Sequence, residues 1–223
     1  MPICLKAKAV IFDMDGVITD TMPFHFRAWK KIFQDEGFHV TECEIYLREG
    51  QPGSATLKEI FKEHGVPYKE EDAKRILLKK EKLFKRILRR RFVPGSRQYL
   101  HFLKKQGFQL GLVTGTARHE AHKILPKGLF RLFDVTITGN DVKKGKPHPE
   151  PYLLALKKLK IKPREAVVIE NAPFGIHAAK QANIRCLALE SSLPRKYLQA
   201  ADHIFSSFKE LRRTVIIDAL VVY

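Results

Sequence analysis

Two aspartates, two residues apart, close an apolar run near the start of the chain: Val10-Ile11-Phe12-Asp13-Met14-Asp15-Gly16-Val17. On a strand, residues i and i+2 face the same side, so Asp13 and Asp15 share one surface. Two such carboxylates repel, and one pKa rises unless a cation lies between them. Gly16 lets the backbone turn sharply and approach a ligand. A second run, Leu110-Gly111-Leu112-Val113, ends in Thr114-Gly115-Thr116. Hydroxyls and free amides leading into a helix make a ready anion site. A third run is followed by Lys143-Lys144-Gly145-Lys146-Pro147, where Pro147 forces Lys146 to be extended and fixes where its ammonium projects. A fourth, Ala166-Val167-Val168-Ile169, ends in Glu170-Asn171 and returns a carboxylate and an amide oxygen. Each piece alone is ordinary turn chemistry. Four successive run ends supplying Asp/Asp, Thr, Lys and Glu/Asn describe one site, with carboxylates for a cation and an ammonium, hydroxyls and amides for an anion.

Those residues need a frame that brings run ends together. The segments Lys8–Phe12, Gln109–Thr114, Asp134–Thr138, Ala166–Ile169, Arg185–Leu189 and Asp202–Phe205 read as buried strands. Between them Ser96–Gln106, Ala117–Leu125, Glu150–Leu159 and Phe174–Ala182 carry apolar residues at three- and four-residue spacing. Alternating strands and helices predict an α/β fold, a Rossmann-like, doubly wound parallel sheet that binds ligands at the carboxyl ends of its strands. From Asp20 to Phe92 the pattern holds no strand, only helical patterns over Phe24–Glu36, Ser54–His64 and Glu70–Arg91. A small helical cap inserted after the first strand accounts for this. Residues 1–18 and 94–223 form the core in this reading, and 19–93 the cap. Gly16-Val17-Ile18 leads into the cap, and Val93-Pro94-Gly95 leads out. The apolar Thr214–Tyr223 must pack somewhere that its own residues do not specify.

Composition narrows the class. With 223 residues, 44% hydrophobic and 10% aromatic, the chain can fill a core and is not disordered. No apolar run approaches the ~20 residues that span a bilayer, and the first fifteen residues lack a signal-peptide pattern. A cytoplasmic protein without membrane partners is expected. Cys4, Cys43 and Cys186 have neither disulfide nor zinc spacing. The charge is large, 41 Lys+Arg against 24 Asp+Glu, net +17. Nucleic acid, an anionic membrane surface or small phosphorylated substrates would each account for it. So would a thermally adapted surface, in keeping with only 3 Asn and 7 Gln. The most basic stretch, Lys74–Arg91, carries ten Lys/Arg and only Glu81 as an acid. Lacking interleaved aromatics, it reads as a solvated helical face rather than a nucleic-acid stripe.

In order, Asp13-Met14-Asp15-Gly16-Val17, Thr114, Lys146 and Glu170-Asn171 resemble the motifs of the haloacid dehalogenase-like phosphotransferases. The resemblance runs from Ala9 to about Leu211 and is to the β-phosphoglucomutase-like branch with a helical cap. Val17-Ile18-Thr19-Asp20-Thr21 and His25-Phe26-Arg27-Ala28-Trp29 carry the likeness into the cap. It implies Asp13 as nucleophile, forming an aspartyl-phosphate, and Asp15 as general acid and base. Thr114 and Lys146 would hold the phosphoryl oxygens. Mg²⁺ would be held by Asp13, the Asp15 carbonyl, Glu170 and Asn171. His25 would set Asp15 for proton transfer. Gly16, Gly115, Thr116, Arg48 and Gly50 would border the substrate.

Two departures bear on the reaction. Asn171 and Ala172 stand where the family usually has Asp and Ser, which removes a negative charge from the metal site. In the cap loop Leu47-Arg48-Glu49-Gly50, and just beyond it, Gly53 falls where the mutases carry a phosphate-gripping Arg, and Ala117 falls where they have Lys. Without a clamp for a second phosphate, water becomes the acceptor. The expectation is a monomeric Mg²⁺-dependent phosphatase for a small phosphorylated metabolite, such as a sugar phosphate. A β-phosphoglucomutase-type isomerase is the alternative, with Arg48, Lys80 or Arg118 as substitute clamps. Dehalogenase or phosphonate chemistry stands further off. A nucleic-acid-binding protein with a vestigial site is the distant alternative.

Overall fold

The computed structural model describes residues 2–219. Six parallel strands form the main sheet: β2 (Ala9–Phe12), β3 (Gln109–Val113), β4 (Val135–Ile137), β5 (Ala166–Glu170), β6 (Arg185–Leu189) and β7 (His203–Phe205). Their order is β4-β3-β2-β5-β6-β7, so the chain winds outward from β2 in both directions. Every residue of β2 and of β5 is buried, as both faces of a parallel sheet must be. Alternate residues serve opposite faces. Ile11, Val113, Val168 and Cys186 enter one apolar cluster, while Val10, Phe12, Leu112 and Ile169 enter the other. Against β3 and β4 packs α8 (Glu150–Leu159), and against β5 and β6 packs α9 (Pro173–Gln181). α5 (Ser96–Lys105) covers β3, and α10 (Phe208–Thr214) lies beside α5 and β7. The short α6 (Arg118–Ile124) and α7 (Lys127–Phe130) connect β3 to β4.

Two strands lie outside the sequence reading. β1 (Ile3–Ala7) pairs in parallel with β8 (Val215–Ala219), from Ile3 opposite Val215 to Ala7 opposite Ala219. The tail therefore packs against the amino-terminal strand in a separate two-stranded sheet; residues 220–223 of it lie outside those described. The strand read as first is consequently second in chain order, and the helical insertion follows β2. Leu5 and Ala7 are buried while Lys6 between them is exposed, an alternation too short to signal a strand without its distant partner.

The insertion is helical: α1 (Met22–Asp35), α2 (Glu42–Tyr46), α3 (Gly53–Glu63) and α4 (Glu70–Ile87). α2 starts at a capping box. The Thr41 hydroxyl accepts from Glu44 N at 3.2 Å, and the Glu44 carboxylate accepts from Thr41 N at 2.6 Å. Trp29 stacks on Phe33 at 5.2 Å, and Phe33, Phe38 and Phe61 pack on one another, Phe38 edge-on to Phe61. Each buried aromatic or aliphatic side chain here stabilises the unit by about 1.5–3 kcal/mol. α4 stops at Ile87, short of the expected Arg91, because the following residues return toward the core. Val93 N donates to Ile18 O and Asp20 N to Arg91 O, both within 3.1 Å. The two connections thus run side by side, tied to each other by backbone hydrogen bonds.

Candidate active site

β2, β3 and β5 deliver their carboxyl ends where the strand order reverses, the place at which open α/β sheets bind ligands. Asp13 follows β2 directly, and its N–H donates to Ile169 O at 3.1 Å, tying it to β5. Gly16 then turns the chain at φ +80°. A Cβ there would lie 2.1 Å from Asn171 Nδ2 and 2.7 Å from Ser192 Oγ, so no side chain fits.

Asp13 is buried beside Lys146. Lys146 Nζ donates to Asp13 Oδ1 at 2.5 Å, Glu170 Oε1 at 2.7 Å and Val113 O at 3.2 Å, which uses all three of its protons. Tyr152 OH donates to the same Glu170 oxygen at 2.6 Å, and Asn171 N donates to Glu170 Oε2 at 3.0 Å. Burial pushes the Asp13 carboxyl well above the usual range. Lys146 opposes that rise, and Glu170 and Asp15 add to it. Burial would lower Lys146, yet the charges of Asp13 and Glu170 hold it raised.

Asp15 sits in a different environment. Oδ1 accepts from Thr21 Oγ1 at 2.5 Å, and Oδ2 from Thr116 Oγ1 at 2.9 Å and Thr114 Oγ1 at 3.4 Å. His25 Nε2 faces Oδ1 at 3.7 Å. Burial would raise this carboxyl, but His25, Thr21 and Thr116 together hold it below the usual range. The His25 ring stacks on Phe84 at 4.1 Å, and its Nδ1 lies 3.0 Å from Lys80 Nζ. An ammonium has only protons to give, so Nδ1 is the acceptor and Nε2 carries the hydrogen facing Asp15. Burial and the Lys80 charge keep His25 below its ordinary pKa. Lys80, over the rings of Trp29 and Phe84, is itself lowered by burial to about 8.

From the cap side, Glu49 reaches the core. It is 8% exposed, and its Oε2 accepts from Asn171 Nδ2 at 2.9 Å. The other Asn171 amide hydrogen goes to Ser192 Oγ at 2.9 Å. Burial and the charges of Asp13, Asp15 and Glu170 push the Glu49 carboxyl well up. Asp13 Oδ2, Asn171 Oδ1 and Glu49 Oε1 are buried with no hydrogen-bond partner among the described residues. Unsatisfied oxygens of this kind cost about 1–3 kcal/mol each, and hard oxygen donors are what Mg²⁺ takes. The site therefore fits that ion.

A cavity of about 290 Å³ lies between cap and core, lined among others by Asp13, Asp15, His25, Glu49, Lys80 and Thr114. Arg48 borders it, but the guanidinium expected to meet substrate is spent within the cap. It bonds Glu44 O at 2.7 Å and pairs with Glu59 and Glu63. Arg118 is likewise held, by Asp141 at 2.7 Å. Gly50 and Gly115 act as spacers. A Cβ on Gly50 would come 2.9 Å from Lys146 Cδ, and one on Gly115 3.1 Å from Gly50 O. Glu170, expected as a metal ligand, has both oxygens engaged by Lys146, Tyr152 and the Asn171 amide. Thr21, Glu49 and Tyr152 were not among the residues expected from the sequence. Thr21 and Glu49 each lay in a segment that carried the resemblance, while Tyr152 had no local signal.

The family model for haloacid dehalogenase-like hydrolases matches residues 10–189, a span holding Asp13, Asp15, Thr114, Lys146, Glu170 and Asn171. The chain belongs to this family. The hydrolase is 38% identical to the phosphorylated carbohydrates phosphatase of Thermotoga maritima, across 79% of this chain and 82% of that one. It is 30% identical to the validoxylamine A 7'-phosphate phosphatase of Streptomyces hygroscopicus, across 92% and 96%. The crystal structure of a β-phosphoglucomutase from Clostridium difficile superposes with a TM-score of 0.80 at 26% identity, covering 93% and 96%. This hydrolase is thus an enzyme of phosphoryl transfer, with phosphatases among its relatives and a mutase beside them. No described helix is long and apolar enough to cross a membrane.

Proposed function

We infer that this hydrolase is a Mg²⁺-dependent phosphatase of small phosphomonoesters, of which sugar phosphates are the favoured class. One observation carries the choice of phosphatase over mutase. A mutase must grip a second phosphate while a bisphosphate turns over, and apart from Lys80 the cations weighed for that grip are missing or paired. Gly53 and Ala117 carry no charge, while Arg48 and Arg118 are paired with Glu59, Glu63 and Asp141. Lys80 alone of the weighed clamps faces the cavity without a carboxylate in contact. The relatives' names, phosphatases of phosphorylated small molecules, support the same reading.

Asp13 provides the attacking carboxylate oxygen and becomes the aspartyl-phosphate. The Thr114 hydroxyl receives a phosphoryl oxygen, and the Lys146 charge, held against Asp13, offsets the charge that spreads over the phosphoryl group in the transition state. Asp15 serves the leaving group and then the water. Its lowered pKa describes the base form, which takes a proton from attacking water in the second half-reaction. In the first half-reaction the arriving phosphate dianion raises that pKa and favours the acid form. Thr21, Thr116 and His25 aim the carboxylate, and neutral His25 takes its orientation from Lys80. Asp13, the Asp15 carbonyl and Asn171 would hold Mg²⁺. When bound, the ion offsets the repulsion between Asp13 and the incoming phosphate. Glu170 fixes Lys146 and the Asn171 backbone. The cap excludes bulk water during transfer. Free cysteines at 4, 43 and 186 suit work in a reducing cytoplasm, and the aromatic of the basic helix, Phe84, is buried against His25 and offers no stacking surface, which disfavours nucleic acid.

The test is phosphate release from a panel of sugar and other small phosphates with Mg²⁺ or chelator, product isomers being resolved. Phosphate released with Mg²⁺, lost by a factor on the order of 10⁴ or more in Asp13→Asn, is the expected result. Conversion of β-glucose 1-phosphate to glucose 6-phosphate without phosphate release would make it a mutase.

A further inference from the structure

Asn171 removes one negative charge from the expected metal site, and the core offers no replacement. Glu170, the neighbouring carboxylate, bonds Lys146 and Tyr152 through one oxygen and the Asn171 amide through the other. The missing charge returns from the cap. Glu49 lies in the loop between α2 and α3, is 92% buried, and touches the core through Asn171 Nδ2 at 2.9 Å. Its second oxygen is buried without a partner, as are Asp13 Oδ2 and Asn171 Oδ1. Asp13, Asp15, Glu49 and Glu170 are four buried carboxylates with one buried ammonium, Lys146, among them. A cation would compensate these carboxylates and would also engage the three oxygens that lack partners.

We propose that Glu49 is a cap-borne ligand to the divalent cation, so that binding the ion and closing the cap over the site are one event. The inference rests on the metal-dependent reading above and adds a residue from the cap. It also gives Glu49 a reason to be buried. A charged Glu49 with no cation partner would be repelled by Asp13, Asp15 and Glu170. The ion turns that repulsion into an attachment of cap to core at the place where phosphate must be shielded from solvent. Closure then depends on ion occupancy, and opening for product release loosens the ion.

The test uses the full chain without substrate. Mn²⁺ binding is followed by loss of the free-ion electron paramagnetic resonance signal. Hydrogen exchange over residues 47–53 and 13–17 is measured with and without Mg²⁺. Wild type should bind the ion and slow exchange in both segments. Glu49→Gln keeps the shape and an acceptor for Asn171, and should weaken Mn²⁺ by at least about tenfold. In that variant Mg²⁺ should leave exchange over 47–53 unchanged. In chelator Glu49→Gln should unfold no lower than wild type, since it removes a buried repulsion, and this verifies that the variant is folded. Wild-type affinity in Glu49→Gln, exchange over 47–53 that ignores the ion in wild type, or no ion binding by wild type would each overturn the proposal. A wild type that binds the ion and closes, yet releases phosphate from nothing, would sink the phosphatase reading and leave this one standing.

Discussion

At the scale of single residues, the site assigns opposite characters to two aspartates two positions apart. Asp13 is buried against Lys146 and raised, while Asp15 is surrounded by hydroxyl groups and His25 and lowered. Diverging environments of this kind sort a nucleophile from an acid–base residue. The same shell yields a pH prediction. Lys80, lowered to about 8 by burial, carries its charge below that pH and loses it above. Neutral Lys80 no longer attracts an anionic substrate, so kcat/KM should fall as pH rises past about 8, with the free-enzyme group setting the limb. Lys80→Arg should move that fall to higher pH, and Lys80→Met should remove the limb at a lower plateau. An alkaline limb unchanged in Lys80→Met would assign it to another group.

At the scale of elements, the site depends on how closely helices approach strand ends. α9 starts just beyond β5, and a Cβ on Gly175 would lie 1.8 Å from Glu170 Oε1. Gly175→Ala must therefore displace the carboxylate that anchors Lys146. Overpacking of this kind costs about 1–3 kcal/mol, and phosphate release should drop along with thermal stability. If stability falls while kcat stays at wild type, Glu170 is a structural residue only. The strand-end positions of Asp13, Thr114, Lys146 and Glu170 were legible because each follows a short apolar run or a proline-marked turn. α2 escaped notice because five residues are too few to show a helical period, although the Thr41/Glu44 capping box stands in plain view.

At the scale of the whole molecule, the charge and the two-part architecture act together. Of the basic residues within Lys74–Arg91, Arg75 and Lys85 are in ion pairs among those described, and Lys80 turns into the site. The rest leave a positive field on the cap, and a net +17 draws small anions toward the cleft. That field is screened within about 8–10 Å at ordinary ionic strength. Raising salt should therefore lower kcat/KM for a dianionic substrate while leaving kcat nearly unchanged. Equal losses in both would point to a salt effect on the closed site itself. The β1–β8 pairing belongs to this scale too, since it joins segments more than 200 residues apart.

The division of labour follows from range. Local pattern determined the alternating α/β order, the inserted helical unit and the ordered carboxylate, hydroxyl, ammonium and amide set. Strand periodicity and turn chemistry act over a few residues, so the chain displays them directly. Tertiary structure decided which side chains are free. Arg48 and Arg118 look like clamps until Glu59, Glu63 and Asp141 meet them, and Glu170 also anchors Lys146 and Tyr152. Folding also brings Glu49, 122 positions from Asn171, to the edge of a site that lacks one negative charge. No local rule reports that approach, because the burial and electrostatic energies that produce it exist only once cap and core are packed together.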